Sequence, residues 1–186
     1  RVEHVAAEVR ERRPLRRVAG GRLGVGTLVA YAYDQHPIGA EMTRMLQSMK
    51  HRGPDSTGYA LYGQPSNLVI MRYKLADANT ARDFEYEDRL RRHRAEVERR
   101  LHALGAKVHA LVEENESAFR VTLEYDGDLK RLADFIEDVP DAEVLSLGNS
   151  LEIVKDLGDA ESVAGGYQLN EFNGTHAIRH VRMGTK

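Results

Sequence analysis

The sequence predicts an α+β fold, and three observations predict it. Residues Gly24 to Tyr33 are almost continuously apolar or small, as expected of a strand buried on both faces. Met42, Met45, Leu46 and Met49 recur at helical spacing between Gly39 and Lys50. Between Asn67 and Val154 the periodicities run strand, helix, strand, strand, helix, strand, the order of a split βαβ, or ferredoxin-like, module.

The elements follow in chain order. Residues 1–22 hold seven arginines against three glutamates, a formal charge of +4. Val2, Val5, Ala6 and Val9 predict a short amphipathic helix that ends before Pro14. The segment reads as a basic extension, either a docking arm for an acidic partner surface or a solvated tail. After the strand Gly24–Tyr33 and the methionine-striped helix comes the polar stretch His51-Arg52-Gly53-Pro54-Asp55-Ser56-Thr57-Gly58, an ordered loop by its turn chemistry. Tyr59–Tyr62 and Asn67–Tyr73 flank a turn at Gly63-Gln64-Pro65-Ser66 and are expected to form a strand pair.

A charge-dense helix is expected from Ala81 to Leu104, with Leu90, Val97, Leu101 and Leu104 on its buried stripe and Gly105 ending it. Strands are expected over Lys107–Val112 and Phe119–Tyr125, the second alternating cleanly. Asp128 is placed to cap a helix on which Leu129, Leu132, Ala133 and Ile136 share a face. Glu143–Leu147 and Leu151–Val154 read as strands around Gly148-Asn149-Ser150. Gly158–Gly174 reads as a linker, broken at Gly165-Gly166, that returns the chain to the first sheet. A last strand then places His176, Ile178, His180 and Arg182 on one face.

Composition narrows the functions. Of 186 residues, 41% are hydrophobic and 30% charged, enough to bury a core. With 27 Lys and Arg against 29 Asp and Glu, the net charge of -2 gives no global field for nucleic acid or an anionic membrane. There is no cysteine, so thiolate metal sites, disulfides and a cysteine nucleophile are excluded for these residues. His176 and His180 share a face without a convincing carboxylate partner, and no metal or cofactor is expected. No apolar run is long enough to span a bilayer and no signal-peptide core follows the arginine-rich start, so the expected location is cytoplasmic.

Two motifs carry a family resemblance. His51-Arg52-Gly53-Pro54-Asp55-Ser56-Thr57-Gly58 resembles the signature of class II glutamine amidotransferases, the N-terminal-nucleophile amidohydrolases. Gly174-Thr175-His176-Ala177-Ile178-Arg179-His180-Val181-Arg182-Met183-Gly184-Thr185 resembles that family's Gly-His-Thr-Arg-Met-Ala-Thr strand. The long interval between them resembles the branch related to glutamate synthase and N-methylglutamate synthase amidotransferase subunits.

The resemblance implies an αββα-type fold, glutamine as substrate, and ammonia passed to a synthase or companion protein subunit. It implies that Arg182 binds the substrate carboxylate, a task suited to a planar guanidinium, while Arg52 organises the pocket with His180 and Thr185 beside them. In that family a mature N-terminal cysteine is the nucleophile and its own amine the base. Leu23 stands at the matching position here. The expected organisation is a basic extension over 1–22, an amidotransferase-like core over 23–74 and 157–186 that is incomplete at its C-terminal end, and a ferredoxin-like insertion over 75–156. The expected function is a glutamine amidotransferase-like subunit lacking its nucleophile; the alternative is a non-catalytic structural or regulatory subunit of a larger complex.

Overall fold

The structure is a computed structural model that describes residues 16–21, 25–47, 56–75 and 85–182, with backbone alone for 16–33 and 179–182. The strands are β1 (Arg16–Gly21), β2 (Val25–His36), β3 (Ser56–Tyr62), β4 (Val69–Lys74), β5 (Lys107–Glu113), β6 (Ala118–Glu124), β7 (Glu143–Gly148), β8 (Leu151–Leu157) and β9 (Gly174–Arg182). The helices are α1 (Ile38–Gln47), α2 (Tyr86–Ala103), α3 (Leu129–Glu137) and α4 (Ala160–Gly166), with a 3₁₀ turn at Leu169–Glu171. The chain divides into two compact units, residues 1–64 with 158–186 and residues 65–157.

In the first unit, β1, β2, β9 and β3 lie side by side in that order, each antiparallel to its neighbour. Residues 16–21, read from sequence as part of a basic extension, are a strand here, paired rung for rung with Gly26–Tyr31. The amphipathic helix expected before Pro14 lies outside the described residues. Alternation along β3 buries Thr57, Tyr59 and Leu61, while Ser56, Gly58, Ala60 and Tyr62 are half-buried. The buried apolar side chains of α1 are Ile38, Met42 and Leu46, so the described part of the methionine stripe faces the core at Met42 and Leu46, while Met45 is half-buried and Met49 lies outside the described residues. At Gly39 an added Cβ would fall 1.8 Å from the Leu169 carbonyl oxygen, so only glycine lets α1 pack this closely on the 3₁₀ turn.

Two expectations are corrected in this region. Gly158–Gly174 is not a linker: it holds α4 and the 3₁₀ turn. Asp159 caps α4 by accepting from the Ser162 amide at 2.9 Å, and Ala160, Val163, Ala164, Tyr167 and Leu169 are buried. That apolar face outweighs the weak helix propensity of Gly165 and Gly166. The second correction concerns β3 and β4, which do not pair with each other. β3 pairs with β9 in the first unit, whereas β4 pairs with β6 and β7 in the second. Long-range ladder partners outcompete the local turn.

The second unit has the order β5-β6-β4-β7, with every pair antiparallel. One face carries the apolar core, in which Met71, Tyr73, Phe119, Val121 and Leu123 meet Val97, Leu101, Leu132 and Ile136. Asp128 caps α3 as its sequence position predicts, accepting from the amides of Lys130 at 2.8 Å and Arg131 at 3.2 Å. The observed α2 and β6 match the expected stripe and alternation within a few residues.

Candidate functional site

Register, rather than any single side chain, defines the candidate site. Arg182, the last residue of β9, is opposite Val25 of β2 on one side and Ser56 of β3 on the other. One rung back, Val181 pairs with Gly26 and Thr57; the next joins His180 to Thr27 and Gly58. The start of β2, the start of β3 and the end of β9 therefore meet at one end of three adjacent strands. Leu23 lies two residues before Val25, Arg52 four residues before Ser56, and Thr185 three residues after Arg182. Leu23, Arg52, Thr185 and the rest of residues 48–55 lie outside the described residues. For His180 and Arg182 the structure gives the strand positions, which alternate in phase with His176 and Ile178.

Behind this sheet end lies a buried polar set that the sequence reading did not single out. Thr57 Oγ1 donates to the Gly158 carbonyl at 2.7 Å, and the Tyr59 hydroxyl donates to the Ala160 carbonyl at 3.0 Å. Thr43 Oγ1 donates to the Gly39 carbonyl at 2.9 Å and lies 3.3 Å from the Tyr59 hydroxyl. Thr57 and Tyr59 are wholly buried, so these bonds satisfy groups that would otherwise cost stability. The signal available in sequence was alternation, which puts Thr57 and Tyr59 on the same face as Leu61.

Farther along the sheet, His176 is exposed and stacks on Tyr62 with ring centroids 4.1 Å apart, its Nδ1 2.9 Å from Thr175 Oγ1. Among the described residues no group of three or more His, Asp or Glu side chains is placed to hold a metal ion. No described helix is long and apolar enough to cross a membrane.

A second charged cluster lies within residues 65–157. Arg72 Nε donates to Glu152 at 2.7 Å and its Nη1 to Glu114 at 2.5 Å, while Arg120 grips the Glu152 carboxylate through Nε at 2.8 Å and Nη2 at 3.0 Å. Lys74 pairs with Asp156 at 2.9 Å. The side chains of Arg72 and Glu152 are each only 4% exposed, so neither charge can turn to water. Burial pushes Glu114 up, against the pull of Arg72. Burial also acts to raise Glu152, but the Arg120 hydrogen bonds and both guanidinium charges outweigh it and hold this carboxyl below its usual range. These groups are mutually neutralised, which marks a structural cluster rather than a reactive one.

The sequence comparisons point to glutamine amidotransferases. The chain is 34% identical over 168 residues to a protein of Methanothermobacter thermautotrophicus that carries a provisional glutamine amidotransferase name, covering 88% of this chain and 52% of that relative. It is 27% identical over 162 residues to the glutamine amidotransferase-like protein GlxB of Rhizobium meliloti, covering 87% of this chain and 50% of the relative. No family model matches the chain. The chain spans about half the length of the curated relatives it matches. Their names support a glutamine amidotransferase family for it.

Proposed function

We propose that this chain is the glutamine-binding portion of a class II, N-terminal-nucleophile amidotransferase, with its binding site at the shared end of β2, β3 and β9. The observation that carries the reading is the rung Val25–Arg182–Ser56, which makes neighbours of motifs more than a hundred residues apart in sequence. Arg182 would hold the α-carboxylate of glutamine through two parallel hydrogen bonds, and Arg52 would organise the pocket, with His180 and Thr185 lining it. Two relatives with glutamine amidotransferase names support the same substrate.

In this reading the ferredoxin-like insertion expected over 75–156 also takes in β4, within the compact unit of residues 65–157. Their element order and the strand order β5-β6-β4-β7 support it. The whole protein would pass ammonia to a synthase or companion protein subunit. Leu23 favours a second reading for this chain itself, a non-catalytic structural or regulatory subunit, because a hydrocarbon side chain cannot attack an amide carbon.

Glutamate release from glutamine tests both readings. The unmodified chain should release none, and a Leu23→Cys version that begins at residue 23, so that the cysteine amine is free, should release it. Release by the unmodified chain would refute the assignment of Leu23 to the nucleophile position. Failure of the engineered version would leave glutamine hydrolysis unsupported and favour the non-catalytic reading.

A further inference from the structure

The buried bond between Thr57 and Gly158 joins two points 101 residues apart, and both ends of it are unusually constrained. Thr57 is 0% exposed and sits one residue inside the start of β3. Gly158 has φ +110°, a conformation that residues with side chains rarely adopt, so the direction of its carbonyl depends on glycine at this position. The adjoining Asp159 then caps α4 and fixes the next peptide. On the sheet side, Thr57 is opposite Val181, one rung from the pair Ser56–Arg182.

We propose that Thr57 is a positioning residue for the candidate site, holding the start of β3 on the Gly158 carbonyl and so fixing where the Arg182 end of β9 lies. This inference rests on the glutamine-binding reading for its consequence, though not for its geometry. The Tyr59 hydroxyl makes a similar bond to the same helix start, but two residues farther from the site end. It is therefore an internal control: its loss weakens packing without freeing the Ser56–Arg182 rung.

Three variants of the full chain separate positioning from packing. Thr57→Val keeps the branched shape and deletes the donor, Thr57→Ser keeps the donor, and Tyr59→Phe deletes the control bond. Hydrogen exchange at the amides of residues 180–182, measured without ligand, should speed up about tenfold in Thr57→Val, the scale set by losing one buried hydrogen bond. Glutamine affinity, measured by calorimetry, should weaken about tenfold in the same variant. Thr57→Ser should stay within about twofold of the unmodified chain in both readouts, and Tyr59→Phe should leave both essentially unchanged. Unchanged exchange in Thr57→Val, or an equal rise in Tyr59→Phe, overturns the proposal. If exchange rises as expected while the unmodified chain binds no glutamine, the positioning role stands and the glutamine reading falls.

Discussion

Replacing Glu152 with leucine should destabilise the 65–157 unit by about 3 kcal/mol, the lower end of the range for breaking a buried ion pair from one side. The geometry sets that choice. Glu152 accepts three N–H groups, from Arg72 at 2.7 Å and from Arg120 at 2.8 and 3.0 Å. Without it, Arg72 keeps the Glu114 carboxylate, while Arg120, with 30% of its side chain exposed, regains partial hydration. Arg72 stays paired and Arg120 is partly hydrated, so the upper end of the range does not apply. The double variant Glu152→Leu/Arg120→Leu removes the stranded charge as well and leaves a neutral Arg72–Glu114 pair. It should lie within about 1 kcal/mol of the unmodified chain, a coupling of about 2 kcal/mol or more. Native-state hydrogen exchange at Met71 and Val121, in the centres of β4 and β6, reads the opening of this unit without assuming that the whole chain unfolds in one step. A loss below about 1 kcal/mol in Glu152→Leu, or a double variant as unstable as the sum of the singles, would refute the argument.

The same cluster sets a pH dependence. Glu152 is held below its usual range, so its stabilisation is present above the unfolded-state value near 4.3 and fades as pH falls through the depressed value. Glu114 is pushed up and has the opposite sign: its contribution is full below the unfolded value and is lost as pH rises through the raised one. Acidification from neutrality should therefore first stabilise this unit and then destabilise it, and Glu114→Gln should abolish the initial gain; exchange at Met71 and Val121 across this pH range measures both. Tyr73 offers a third test. Its hydroxyl is buried without a hydrogen-bond partner among the described residues, and burial pushes its pKa well up, so Tyr73→Phe should raise stability by about 1 kcal/mol in the same assay.

What was legible in the sequence was local and periodic. Alternation at Phe119, Val121 and Leu123 located β6, and the stripe of Leu90, Val97 and Leu101 located α2. Asp128 announced a cap because an aspartate directly before an apolar helical stripe can accept the first free amides. The misreadings arose where partners lie far away in sequence. Nothing near Tyr59–Tyr62 says that its partner is β9 and not the apolar run seven residues on. Gly165-Gly166 resembled a break because the burial that holds α4 comes from α1 and the 3₁₀ turn. The charges on Arg72 and Lys74, inside an apolar strand, gave no hint that Glu152 and Asp156 answer them eighty-odd residues later. For the site, two motifs identified the candidate residues, but only strand register showed that their flanking positions share one rung.

Glutamine binding by the unmodified chain and by Arg182→Ala, measured side by side by titration calorimetry, tests the central claim most directly. The account predicts saturable binding by the unmodified chain and at least a tenfold weaker affinity in the variant, about the cost of losing a charge-assisted hydrogen bond to a carboxylate. Equal affinity in the two proteins, or no binding by the unmodified chain, would contradict it.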